Sequence, residues 1–317
     1  MDKILFIDGH NAMWRANTTF SFGKKHSSCI GCGLAGHPNY GQRWGTPESE
    51  LIYHCECGGE WIDGRCAKEP NPEFIPIFNF FRNLRPIIEL FSPEKCFFVL
   101  EGHPQFRYDL FADYKANRIV KQASRKEDVD KFHKNKNEIV RLIQLLPITI
   151  CRATQYECDD VIGSLCNNLK DENLVILSND SDYIQLLQRG YKSCRIYNPI
   201  KKEFMVAPDY PYVAWKSLNG DKSDNIPSLL TPKKALNTVT SPEKFKSFLS
   251  VEENRANFSV NRQLIEFRNV PEEEIEIQEG HADFSTLKEE FSKMKFESIV
   301  NDKSWKKFKD TFDCLKF

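Results

Sequence analysis

Three short apolar runs in this chain end in acid, and no other feature constrains its fold as tightly. Phe6-Ile7 runs into Asp8, Phe98-Val99-Leu100 into Glu101, and Ile176-Leu177-Ser178-Asn179 into Asp180 and Asp182. Short apolar runs bounded by polar residues read as buried strands. Strands are therefore expected at residues 3–8, 95–100 and 174–177, with another at 148–151 and edge strands or a hairpin at 194–197 and 204–206. Helical spacing falls between them, at 11–16, 74–91, the end of the polar stretch 107–141, 159–169 and 183–187. Pro76 and Pro86 should kink or interrupt the second of these helices. Alternating strands and helices predict an α/β core, a mostly parallel central sheet with flanking helices. After about residue 208 the strand signals stop. Short helices broken at Asn219-Gly220, Ile226-Pro227, Thr231-Pro232 and Ser241-Pro242 follow, so residues 1–207 are expected as the core and 208–317 as a helical region.

In open parallel sheets, ligands bind beyond the carboxyl ends of the strands, which is where these acids would converge. Tyr156-Glu157-Cys158-Asp159-Asp160 adds a helix start with Glu157 and Asp160 on one face. Gly220-Asp221-Lys222-Ser223-Asp224-Asn225 adds Asp221 and Asp224. Taken singly, each acid is most simply a helix cap or a first-turn charge. As a set they repel one another and need cations to stay ionised. A site of hard oxygens selects Mg²⁺ or Mn²⁺, and there are acids enough for two ions, the arrangement used for in-line displacement at phosphorus. The chain's formal charge is −1. Setting aside Asp8, Glu101, Glu157, Asp159, Asp160, Asp180, Asp182, Asp221 and Asp224 leaves a body at +8, suited to holding a phosphate backbone.

The first residues, Met1 to Asp8, lack a signal-peptide layout, and the longest apolar runs fall far short of the ~20 residues that span a bilayer. A soluble cytoplasmic monomer with no membrane partner is expected. In that compartment the 11 cysteines are not disulfides. Five crowd into residues 20–70, where Cys29-Ile30-Gly31-Cys32 and Cys55-Glu56-Cys57 form two knuckles, each followed by glycine. Cys29, Cys32, Cys55 and Cys57 suit one structural Zn²⁺, with Cys66, His26, His37 or His54 able to replace a ligand. Unbound buried thiols are the simpler reading, and the paired spacing outweighs it.

Residues 115–141 carry nine Lys or Arg against four acids. Such a run is usually a solvated helix face. Here Lys115 and Arg118 follow Tyr114 at i, i+3, offering two cations to a phosphate and a ring to a base.

Five segments together resemble the flap-endonuclease or 5′→3′ exonuclease family. They are Phe6-Ile7-Asp8-Gly9-His10-Asn11, Phe106-Arg107 with Tyr114-Lys115-Ala116-Asn117-Arg118, Glu157-Cys158-Asp159-Asp160-Val161-Ile162-Gly163, Ser178-Asn179-Asp180-Ser181-Asp182 and Gly220-Asp221-Lys222-Ser223-Asp224-Asn225-Ile226-Pro227. They stand in the family order and span residues 3 to about 240. The resemblance implies a PIN-like core with two divalent-metal sites. Asp8, Glu101, Glu157 and Asp159 would form the tighter one and Asp180, Asp182 and Asp221 the second, with Asp160 and Asp224 in support. Lys115 and Arg118 would lie on a helical arch, within residues 107–141, that admits a 5′ single strand. Arg107, Tyr114 and Lys121 would help hold nucleic acid there. Residues 217–240 would be a helix–hairpin gripping duplex DNA.

Three departures from the family pattern stand out. The second strand normally ends in Asp, and here Glu101 is longer by one methylene. The hairpin's Gly-rich turn is replaced by Ser228-Leu229-Leu230-Thr231-Pro232-Lys233-Lys234, so Lys233 and Lys234 are expected to take over phosphate contact. Residues 20–70 are a longer connection than usual. The expected activity is a structure-selective 5′ nuclease acting on 5′ flaps and ends of duplex DNA and on RNA–DNA hybrids. Replication proteins are expected as partners, through the stretch 305–317. The rivals are a PIN-type ribonuclease on single-stranded RNA and a zinc-containing, non-catalytic DNA-binding protein. An aspartate-nucleophile phosphatase is weaker, since Asp8-Gly9-His10 lacks a second Asp two residues on.

Overall fold

The computed structural model describes residues 3–18, 72–118 and 126–316. The cysteine insert and Lys121 lie outside the described residues. Seven strands form one sheet in the order β6-β5-β4-β1-β2-β3-β7. They are β1 (Lys3–Asp8), β2 (Lys95–Leu100), β3 (Thr149–Arg152), β4 (Asn173–Leu177), β5 (Ser193–Asn198), β6 (Glu203–Phe204) and β7 (Glu276–Gln278). β1 to β5 run parallel, and β6 and β7 are antiparallel edges.

Successive side chains of a strand face opposite sides, and β1 shows the result. Leu5 and Ile7 enter one core, Ile4 and Phe6 the other. The first core is roofed by the helices Gly9–Thr18, Ile75–Phe91 and Lys126–Ile143, the second by Cys158–Asn168. Full burial of aromatics such as Phe81, Phe98, Phe291 and Phe296 stabilises each layer by about 2–3 kcal/mol per ring. The helix Ile75–Phe91 runs unbroken through both prolines. Pro76 sits in the first turn, where its missing N–H is not needed. Pro86 costs ~3 kcal/mol, which burial of Ile77, Phe80, Phe81, Leu84 and Ile88 outweighs.

Two features differ from the sequence expectation. Strand β7 lies beyond residue 208 and pairs with β3; it is three exposed residues, Glu276, Ile277 and Gln278, with no apolar run to announce it. The helices Phe284–Lys293 and Asp302–Thr311 pack into the first core through Leu287, Phe291 and Phe308, and Phe312 follows them there, so residues 276–315 complete the core. The stretch expected to meet replication proteins is likewise engaged. Trp305 stacks on Phe308, and Phe308, Phe312 and Leu315 are buried.

After β1 the chain crosses to β2 and β3 on one side and returns to β4 on the other, so strand order reverses between β1 and β4. Such a reversal leaves a crevice at the strands' carboxyl ends. In the register, Asp8 stands opposite Val99 of β2 and Ile7 opposite Leu177 of β4. Glu101 and Asp180 therefore leave their strands just beyond Asp8.

Candidate active site

Asp8 is the floor of this crevice, 7% exposed. One of its oxygens accepts the Asn11 N–H (3.0 Å), from the first turn of the helix that starts at Gly9; the other accepts the Ser178 hydroxyl (2.9 Å), from the end of β4. The Cys158 thiol lies 3.6 Å away. Glu101 accepts the Cys158 N–H at 3.1 Å, which ties the end of β2 to the helix after β3. Two bonds lock this junction, Gly102 N–H to Tyr156 C=O (3.0 Å) and His103 N–H to Thr154 C=O (2.8 Å). The approach demands glycine: a Cβ on Gly102 would sit 2.1 Å from the Ala153 carbonyl oxygen. Asp180 caps the turn after β4 by accepting the Asp182 N–H (2.9 Å).

A cavity of about 440 Å³ opens above these groups, with Asp8, Glu101, Asp159 and Asp180 on one wall and His10, Trp14 and Phe132 on another. Loss of hydration raises all four carboxyls above their usual range. Asp180 adds to this at Asp8, and Glu157 adds to it at Glu101, whose pKa reaches about 7. Asp159 is raised further by Asp160 and Glu157; at Asp180, which opens to the cleft, burial outweighs the opposing pull of Lys216, and Asp224 and Asp221 add to it. Burial, Lys136, Lys115 and Arg118 push His10 down to about 4, so it is a neutral imidazole at pH 7. Among the described residues, Asn11 Oδ1 and Asn179 Oδ1 are buried without a hydrogen-bond partner. Hard oxygens short of positive charge are a donor set that fits divalent cations.

Glu157 and Asp160 differ from those four. Arg107, 1% exposed, grips Asp160 with both terminal nitrogens (2.6 and 2.8 Å) and Glu157 with one (2.7 Å), and its Nε–H donates to the Leu264 carbonyl (3.0 Å). Asp160 also accepts the Arg268 N–H (2.8 Å). Carboxylate oxygens of Glu157, Asp159 and Asp160 lie within 4.8 Å of one another, but Arg107 already neutralises two of the three groups. Glu157 accepts further bonds from the Tyr114 hydroxyl (2.9 Å) and the Lys115 ammonium. Burial alone would raise its pKa; Lys115 and Arg107 outweigh that and hold it below the usual range. Lys115 reaches Glu157 from a left-handed backbone (φ 55°), its N–H bonded to the Asp224 carbonyl. Arg118 pairs with the Asp224 carboxylate.

Sequence reasoning expected Arg107 and Tyr114 to face nucleic acid. Both are buried instead, because each satisfies acids that would otherwise lie unpaired in the core. Lys115 and Arg118 line the cavity. Asp182 lines the same cavity as Asp8 and Asp180, and it shares the ammonium of Lys216 with Asp221. Lys233 and Lys234 are exposed at the start of the helix Pro232–Val239. Ser178 and Lys216 were not singled out from sequence; the only sign of Lys216 is its place on the helix just before Asp221.

The raised carboxyls carry a stability consequence. A carboxyl with an elevated folded-state pKa stabilises the fold while protonated, and that contribution is lost as pH rises through the folded value. Metal-free protein should therefore lose stability between about pH 4.5 and 7, from the ordinary glutamate value up to the Glu101 value near 7. Glu101→Gln should remove about 1–3 kcal/mol of that decline, read as melting temperature against pH in EDTA. An unchanged slope would place the strain elsewhere.

Residues 68–212 match the family described as 5′-3′ exonuclease, N-terminal resolvase-like domain. A DNA polymerase I of Chloroflexus aurantiacus is 29% identical over 168 residues, 48% of this chain and 17% of that protein. The chain thus spans under a fifth of the length of that relative. A 5′-3′ exonuclease of Buchnera aphidicola is 26% identical over 250 residues, 74% of this chain and 80% of the relative. The fold is similar to that of the bacteriophage T5 D15 flap endonuclease, solved with DNA and metal ions, at a TM-score of 0.55 and 14% identity, covering 98% of both chains. Among the described residues, no helix is long and apolar enough to cross a membrane.

Proposed function

We propose that the chain, whose residues 68–212 match the 5′-3′ exonuclease N-terminal domain, is a divalent-cation-dependent nuclease of that family that cuts 5′ flaps and 5′ ends of duplex DNA, and RNA primers in RNA–DNA hybrids. One observation carries the reading: Asp8 and Glu101 from the ends of β1 and β2, Asp159 from the first turn of the helix Cys158–Asn168 and Asp180 from the turn after β4 line one cavity, where burial raises all four carboxyls. In this reading Asp8, Glu101, Glu157 and Asp159 hold the tighter Mg²⁺ or Mn²⁺, and Asp180, Asp182 and Asp221 a second. Bound there, divalent cations supply Lewis-acid stabilisation of the charge that builds on the phosphodiester.

The chain's own groups do the rest. Ser178 and Asn11 hold Asp8 in one rotamer, and Arg107 fixes the Glu157–Asp160 pair beneath it. Lys115 and Arg118 add positive charge on the cavity wall for the phosphate. The helices Tyr212–Asn219 and Pro232–Val239, with exposed Lys233 and Lys234, lie against duplex DNA as a helix–hairpin. Gly220 is required where the first of these helices ends: its φ is +73°, and a Cβ would meet the Ile226 carbonyl oxygen at 2.6 Å.

The deciding experiment gives the protein a 5′-flapped DNA duplex or a single-stranded RNA of equal length, with Mg²⁺ or with EDTA. Expected is Mg²⁺-dependent cutting at the flap junction at least ~100-fold faster than cutting of the RNA. Preference for the RNA would favour a ribonuclease. Cys29, Cys32, Cys55 and Cys57 are proposed to hold one structural Zn²⁺. Purified protein should then contain one equivalent of zinc, and Cys29→Ser with Cys32→Ser should lose it.

A further inference from the structure

Lys216 lies on the helix Tyr212–Asn219 and is 6% exposed. Its ammonium hydrogen-bonds the Asp182 carboxylate and lies 2.7 Å from Asp221 Oδ2. Asp221 also accepts the Ser223 hydroxyl (2.6 Å) and N–H (2.7 Å), which fix it against the ammonium. Asp8 and Glu101, in the lining of the same cavity, are held instead by uncharged donors, the Asn11 N–H and Ser178 hydroxyl for Asp8 and the Cys158 N–H for Glu101. One part of the acidic site is thus held by neutral hydrogen-bond donors, and the other by an ammonium on its own polypeptide.

We infer that Lys216 is a built-in cation for the Asp182–Asp221 pair, so that a divalent ion enters that half of the site only by displacing its ammonium. The two halves then load unequally, the first ion going to Asp8, Glu101 and Asp159 and the second competing with a tethered charge. Tethering makes the competition strong, since the ammonium needs no capture from solution and is already desolvated against both carboxylates. Lys216 is in this sense a positioning residue, setting where two acids point and how readily they accept an ion. The inference rests on the nuclease reading above, which supplies the second ion.

Binding of Mn²⁺ to the full chain without nucleic acid, followed by electron paramagnetic resonance and calorimetry, tests it. Wild type should bind one ion tightly and a second more weakly by about 10-fold or more. Lys216→Met should tighten the second ion about 10-fold or more and leave the first within about 3-fold. Lys216→Gln, which keeps a hydrogen-bond donor but no charge, should do the same and covers the case in which the methionine variant folds poorly. Two equally tight ions in wild type, or no tightening in either variant, overturns the inference. Flap cleavage by wild type run in parallel separates the two claims. Cleavage with no shift in metal affinity rejects the role of Lys216 alone, whereas neither cleavage nor Mn²⁺ binding rejects the nuclease reading as well.

Discussion

Asp8→Asn should lower the rate of flap cleavage by at least ~10³-fold, about 4 kcal/mol of transition-state stabilisation, while changing affinity for the flapped duplex by less than about 3-fold. The asymmetry follows from where Asp8 sits. It lies at the bottom of the crevice with one oxygen held by Asn11 and the other by Ser178, away from the exposed lysines proposed to carry duplex binding. Asparagine keeps the shape and removes the charge that a divalent cation needs. Since burial already raises the Asp8 carboxyl, the variant should also be at least as stable as wild type in EDTA at pH 8. Single-turnover cleavage, a binding isotherm and a melting curve on one preparation measure all three. Cleavage within tenfold of wild type would remove Asp8 from the chemistry.

The second large effect is on stability. Arg107→Met should destabilise the protein by about 3–5 kcal/mol, because it leaves Asp160 buried without its cation and Glu157 with Lys115 alone. Urea unfolding gives the value. Adding Asp160→Asn should recover part of the loss, since the uncompensated charge goes with it, and the double-mutant cycle reports how strongly the two groups depend on each other. Arg107→Lys should not substitute, as an ammonium cannot bond both Asp160 oxygens and the Leu264 carbonyl in one plane. A loss below about 1 kcal/mol for Arg107→Met would show the buried acids to be satisfied by other means.

How much of this was legible beforehand divides along a physical line. Strand ends could be read because an apolar run that stops at a carboxylate is a local pattern, and the parallel sheet then brings Asp8, Glu101 and Asp180 together by topology alone. What sequence hides is which partner a charged side chain meets after folding. Arg107 and Asp160 are far apart in sequence, and Arg107 stands in a basic stretch, so exposure was the natural expectation. Lys216 likewise looks like an ordinary helix-surface lysine until the turn after Gly220 folds Asp221 back beneath it. Strand β7 escaped notice because its pairing with β3, and not its own composition, makes it a strand.

One consequence concerns the order of events during synthesis. Leu5, Phe81, Phe291 and Leu315 belong to one hydrophobic cluster, so the first layer cannot close while residue 315 is still inside the ribosome. A nascent chain that already displays every carboxylate up to Asp224 would still expose its greasy underside, and contacts this distant in sequence form slowly. Closure of this layer therefore waits on synthesis of the helices Phe284–Lys293 and Asp302–Thr311.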